Sequence, residues 1–170
     1  MTPPVLQTDR LTLRAPVMAD YPAYAAFLGS ARSVHMGGPF NDFGAWALFC
    51  HDVGSWALFG VGGLMVDLSR TGETVGNVGI NQGPLFPEPE LGWFLYAGQT
   101  DQCYATEAAA SLRDWAFAHV GLSTLVSYMD PSNAASARVA QRLGAVLDPV
   151  APRQKGDEAD LVYRHTWGSA

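Results

Sequence analysis

Residues 90–144 read ELGWFLYAGQTDQCYATEAAASLRDWAFAHVG and then LSTLVSYMDPSNAASARVAQRLG, and the changes of period within them decide the fold class. Glu90 to Tyr96 alternates as a strand, with Glu90, Gly92, Phe94 and Tyr96 on one face. From Ala105 to Val120 the spacing becomes helical: Ala108, Leu112, Trp115 and Ala116 share a face, and Gly121 stops it. Thr124 to Met129 returns to strand. Asn133 to Leu143 is helical again, with Ala135, Val139 and Leu143 at i, i+4 and i+8 before Gly144. A strand that feeds a loop into a helix N-terminus makes an anion site, because the first-turn amides are unpaired and the helix dipole adds positive charge there. Here that loop is Gly98 to Cys103.

Outward from this segment, Thr8 to Arg14 alternates, with Leu11 and Leu13 opposed to Thr12 and Arg14 until Pro16. Asp20, read as an N-cap, precedes Tyr21-Pro22, and Tyr24, Phe27 and Leu28 recur at helical spacing up to Gly29. Ser30 to Asn41 reads as loop, Asp42 to Val53 as a second helix, and Trp56 to Val61 and Glu73 to Ile80 as strands. Three prolines between Asn81 and Pro89 forbid regular structure there. The last strand is expected over Leu161 to Trp167. The order β-α-α-β-β-β-α-β-α-β is mixed α/β, neither barrel nor sandwich. Residues 1–170 are expected to form one domain, since a chain of about 150 residues already buries a self-sufficient core.

Ten Lys and Arg against sixteen Asp and Glu leave a net charge of −6, with no basic stripe of the kind that tracks nucleic acid. That balance suits a cationic acceptor better. The apolar run Phe43 to Val66 is broken by His51-Asp52 and by glycines, so a membrane span is not expected. No signal-peptide layout opens the chain, and Cys50 and Cys103 suggest neither a disulfide framework nor zinc, so a reducing cytoplasm is the expected setting. The four histidines lack metal-ligand spacing, and no metal is expected. Trp46, Trp56, Trp93 and Trp115 fall on apolar faces and read as core.

The helix opening Tyr104-Ala-Thr-Glu-Ala, the run Asp130-Pro-Ser-Asn-Ala-Ala-Ser and Arg142-Leu-Gly together resemble the GNAT superfamily of acyl-CoA-dependent N-acetyltransferases. The leader Leu6-Gln-Thr-Asp-Arg-Leu-Thr-Leu-Arg, the strand Glu90-Leu-Gly-Trp and the closing Val162-Tyr-Arg-His are similar to the branch that includes the acetyltransferases of ribosomal-protein N-termini. The resemblance implies a central twisted, mostly antiparallel sheet of six to seven strands, splayed between the fourth and fifth and flanked by about four helices. It implies acetyl-CoA as cosubstrate, with the pantetheine arm in the splay between Glu90 to Tyr96 and Thr124 to Met129. A backbone N–H near Phe94, Leu95 and Tyr96 would meet the acetyl carbonyl, and the amides of Gln102, Cys103, Tyr104, Ala105 and Thr106 the pyrophosphate. The family's loop usually reads Gln/Arg-x-x-Gly-x-Gly/Ala; at Thr100 to Ala105 only the final alanine fits. Asp101 brings a carboxylate to a phosphate site, and Cys103 a Cβ where glycine permits close approach.

Glu90 opens the strand that would flank the acetyl group and is the candidate general base, with a loop-fixing or ammonium-binding role as the alternative. Ser136 resembles the serine placed near the coenzyme sulfur and is the candidate acid, because Ala140 excludes the tyrosine that many relatives carry. Asn133 contacts the pantetheine or caps its helix. An α-amine with a pKa near 8 is about 10% neutral at pH 7, and a lysine only about 0.04%, so an α-amine is the easier acceptor. The expected activity is direct acetyl transfer in a ternary complex to a primary amine, either a protein N-terminus or a small molecule, by a monomer or homodimer. The alternative, raised by Asp101, Cys103 and Ala140 together, is a catalytically impaired acyl-CoA-binding or ligand-sensing module.

Overall fold

The computed structural model describes residues 2–167. Its strands are β1 (Leu6–Gln7), β2 (Leu11–Arg14), β3 (Gly63–Leu68), β4 (Thr74–Asn81), β5 (Glu90–Leu95), β6 (Val126–Met129), β7 (Val146–Leu147) and β8 (Leu161–Arg164). The helices are α1 (Tyr21–Leu28), α2 (Asp42–Phe59), α3 (Tyr104–Trp115) and α4 (Ala134–Arg142), with short 3-10 turns at Met18–Asp20 and Ala31–Met36 and a π turn at Ala116–Val120. One sheet runs in the order β1-β2-β3-β4-β5-β6-β8-β7, and every neighbouring pair is antiparallel except β5 and β6.

The sheet is covered on both faces, and the alternation of β3 shows how. Leu64 and Val66 join a cluster with Ala108, Ala109 and Leu112 of α3, whereas Met65 joins Tyr24, Phe27, Phe49 and Phe94 under α1 and α2. Small residues on α3 let it lie close across β2, β4 and β5. The α1/α2 face is aromatic: Phe27 stacks on Phe94 with ring centroids 4.2 Å apart, and Tyr24 meets Phe94 edge-on at 5.4 Å.

Four features differ from expectation. Trp56 to Phe59 continues α2, and the strand starts only at Gly63, because Gly60 in the left-handed region (φ 73°) ends the helix two residues past Leu58. A short apolar run has no period of its own to separate helix from strand. The sheet has eight strands, since β1 and β7 are two-residue edges too short to show alternation. Asp20 does not cap α1 through its side chain; it takes a bidentate pair from Arg14, both bonds 2.8 Å, and the Val17 amide. Trp46 is 41% exposed rather than core, resting on Tyr21 and Phe49. Among the described residues, no helix is long and apolar enough to cross a membrane.

Candidate functional site

β5 and β6 pair in parallel at Glu90 and Val126 and then part, so their far ends form an open splay. Its apex is tied by the Val126 amide donating to Pro89 O at 3.0 Å and by Ser127 Oγ donating to Leu91 O at 2.6 Å. In an antiparallel pair alternate residues point both backbone groups to the same neighbour. The Tyr96 amide donates to Val75 O at 2.8 Å, so Tyr96 and, by alternation, Phe94 and Gly92 are spent on β4. Leu91, Trp93 and Leu95 face the splay. Of the three expected positions, Leu95 alone presents its amide there, and Trp93, which the sequence reading assigned to the core, is the other. The Phe94 side chain is in the aromatic core, 7% exposed, with its edge on the site.

Two cavities open from the splay. The smaller, about 250 Å³, lies between the start of α3 and α4 and is lined by Cys103, Tyr104, Ala105 and Thr106, which the sequence singled out, together with Asp101. Gln102 and Tyr96 are not among the residues lining it. Cys103 sits at φ 60° and Asp101 at φ 63°, so two non-glycine residues hold the left-handed turns that put the chain into α3. No side chain caps this helix start. Thr106 Oγ1 is buried with no hydrogen-bond partner and faces this cavity. Arg32, Arg138 and Arg142 complete the wall. Uncapped amides, an orphaned hydroxyl and three guanidinium groups fit a polyphosphate ligand such as coenzyme A. Glu107, in the first turn, is drawn away by Arg10 and Thr8.

The larger cavity, about 440 Å³, lies on the α1/α2 face of the apex. Among the described residues, its lining holds five carboxylates, Asp52, Glu90, Asp130, Asp157 and Asp160, and neither lysine nor arginine. Glu90 is half-buried, takes a 3.0 Å hydrogen bond from Asn81 Nδ2, and is pushed up to about 7 by desolvation, with Asp160 and Asp157 adding to the rise. Asn81 Oδ1 is in turn 3.2 Å from His51 Nε2, which fixes the amide with its NH2 toward Glu90. Asp52 is 8% exposed, accepts from Tyr24 Oη at 2.9 Å and Asn77 Nδ2 at 3.1 Å, and is held at about 6 by burial.

The cavities share Trp93, Phe94, Asn133 and Ser136, with His35 and Met36 above them. Ser136 therefore stands at their junction. Asn133 Oδ1 accepts the Ser136 amide at 3.1 Å, so its carbonyl caps α4 while its NH2 is left to the junction. Ala140, one turn on, is fully buried.

Asp52 escaped the sequence reading, which saw it only as an interruption of an apolar run. The signal was there: one carboxylate amid aromatic and aliphatic residues of a helix. Its partners Tyr24 and Asn77, 28 and 25 positions away, come together only in the fold. Among the described residues, no group of three or more His, Cys, Asp or Glu is placed to hold a metal ion.

The family model described as an acetyltransferase (GNAT) domain matches residues 10–146. No curated protein matches the chain. Among solved structures, an acetyltransferase from Agrobacterium tumefaciens is 55% identical, covering 98% of this chain and 96% of its own, with a TM-score of 0.94. The ribosomal L7/L12 α-N-protein acetyltransferase RimL in complex with coenzyme A is 15% identical over 98% of this chain and 100% of its own, TM-score 0.77. A ribosomal-protein-S5-alanine acetyltransferase from Vibrio fischeri is 16% identical over 98% of each chain, TM-score 0.69. These last two share the fold.

Proposed function

We propose, from the premise that the chain belongs to the GNAT acetyltransferase family, that it moves the acetyl group of acetyl-CoA to a primary amine by direct attack within a ternary complex. The observation that carries this reading is the division of charge across the junction. Three arginines wall the cavity on the α3 side, five carboxylates the one on the α1/α2 side, and Ser136, Trp93 and Phe94 stand between. A polyanionic donor and a cationic acceptor are thereby sorted to opposite sides of one reacting point.

Acetyl-CoA, when bound, supplies an acetyl group already activated as a thioester. Arg32, Arg138, Arg142 and the first amides of α3 hold its phosphates, and the Trp93 backbone and the Leu95 amide pair with its extended arm, the Leu95 carbonyl being held by Arg32. One of these strand amides polarises the acetyl carbonyl. Glu90, at the apex, takes a proton from the incoming ammonium. With the carboxyl at about 7, that transfer from an amine near 8 is uphill by only about 1.4 kcal/mol; a carboxyl at an ordinary 4.5 would make it roughly 5 kcal/mol. Asn81, itself oriented by His51, aims Glu90. As the C–S bond breaks, Ser136 Oγ gives its proton to the departing sulfur and takes back the second proton that the attacking nitrogen loses in becoming an amide, so that the net product proton rests on Glu90. Acceptors of either origin, an N-terminal α-amine or a small-molecule amine, satisfy this chemistry.

The test is coenzyme A release from acetyl-CoA with a panel of primary amines, followed together with thermal stabilisation by coenzyme A alone. Turnover with at least one amine, coupled to saturable stabilisation, is the expected result. Stabilisation without turnover across the panel would replace the enzyme by an acyl-CoA-binding module.

A further inference from the structure

Of the five carboxylates that line the acceptor cavity the transfer uses Glu90 alone, and among the other four Asp52 is the buried one, held where a ligand can use it. Asp52 is more than nine-tenths buried, yet it lines the cavity. Both of its hydrogen bonds, from Tyr24 Oη and Asn77 Nδ2, end on Oδ2. Among the described residues none donates to Oδ1, and that oxygen is not enclosed. The fold makes room for this side chain: a Cβ added to Gly63 would lie 2.4 Å from Asp52 Cγ.

Both carboxylates are held from one face of β4. Asn77 holds Asp52 and Asn81 holds Glu90, and both asparagines project from the same face four residues apart, about 13 Å along the strand. Between them that face is bare, because Gly79 pairs with Gly92 of β5, and a Cβ added at Gly92 would meet nothing within 4 Å. The two carboxylates are held by different asparagines on one face of the strand, so the cavity offers a ligand two separate anionic positions.

We propose that Asp52 anchors a second cationic nitrogen of the acceptor, so that the acceptor is a small molecule with two positively charged nitrogens, one acetylated beside Glu90 and the other seated on Asp52 Oδ1. The inference rests on the transfer chemistry proposed above for the Glu90 end. It assigns a role to the buried Tyr24–Asp52–Asn77 group that the transfer itself does not use, and it explains a bare glycine floor between two fixed carboxylates.

The probes are 1,5-diaminopentane and n-pentylamine, alike in length and differing by one charge, titrated calorimetrically into the coenzyme A-loaded protein, where no transfer can occur. The wild type is expected to bind the diamine at least tenfold more tightly. Asp52→Asn keeps an acceptor oxygen for Tyr24 and Asn77, so it should fold and bind coenzyme A unchanged while losing that preference. Equal binding of the two amines by the wild type, a preference that survives in Asp52→Asn, or no binding of either amine at 10 mM on the order of useful concentrations would overturn the proposal. Acetyl transfer to the same amines, measured in parallel from acetyl-CoA, separates the two readings: transfer without a charge preference leaves the transferase and removes the anchor, and preference without transfer does the reverse.

Discussion

Replacing Glu90 by glutamine should raise stability and lower activity over the same pH interval. Desolvation lifts this carboxyl to about 7 from an ordinary 4.5, against the opposing hydrogen bond from Asn81. The folded protein therefore keeps a proton that the unfolded chain has already released, and stability from this group is full below about pH 4.5, declines as pH rises to about 7 and is flat above. The gap corresponds to about 3 kcal/mol at most, and partial exposure of the site brings the expectation to the order of 2 kcal/mol. Glutamine offers Asn81 the same acceptor oxygen and does not titrate. Urea unfolding of wild type and Glu90→Gln at pH 4 and pH 8.5 should show little difference at the first and a gain of roughly 2 kcal/mol for the variant at the second. Asp52, also raised, contributes equally to both proteins and cancels. In the same interval wild-type kcat/KM should rise through an inflection near pH 7 that the variant lacks, its deficit narrowing toward pH 9 as the amine deprotonates unaided. A variant less stable than wild type at pH 8.5, or a wild-type profile without an inflection between pH 6 and 8, would refute both the buried proton and the base assignment.

Ser136→Ala should lower kcat by about 10- to 100-fold with coenzyme A affinity unchanged in calorimetry, because the hydroxyl acts at the cavity junction while its amide stays capped by Asn133; full activity would remove it as the acid. Cys103→Gly relieves a left-handed residue worth about 1–2 kcal/mol but adds unfolded-state freedom of about 0.4–1, so a net gain near 1 kcal/mol and a Tm rise of roughly 2–4 °C are expected, with coenzyme A binding retained; a lower Tm would contradict the φ of 60°. Gly63→Ala should destabilise by about 1–3 kcal/mol and displace Asp52, read as a loss of urea midpoint; wild-type stability would mean that the β3 contact on Asp52 is looser than 2.4 Å implies.

The elements that carry a period were legible in the sequence, and those that depend on a partner were not. Glu90 to Leu95, α3 and α4 fall where alternation and helical spacing place them, because each is long enough for its own buried face to write a pattern. The boundary between α2 and β3 was not legible: Trp56 to Val61 is apolar throughout even though Leu58 faces outward, so no period separates helix from strand, and Gly60 alone marks the turn. The same distinction runs through the site. Ser136 and Asn133 could be placed because the start of α4 is a local feature. Which amides of β5 face the splay could not, since it depends on the pairing of Tyr96 with Val75, a register of the whole sheet that no single strand encodes.

Charge behaves in the same way. A net −6 spread along the chain gives no hint that Arg32, Arg138 and Arg142 converge on one side of the junction and five carboxylates on the other. Those arginines come from a 3-10 turn and from the last turns of α4, positions that look like ordinary solvated surface in sequence. The acidic side is built from α2, β5, the turn after β6 and the loop before β8, which meet where β5 and β6 diverge at Glu90 and Val126. The divergence is thus one structural cause with two consequences: it frees the Trp93 backbone and the Leu95 amide for an extended ligand, and it leaves Glu90 at the apex, where burial desolvates the carboxylate and pushes it up to about 7.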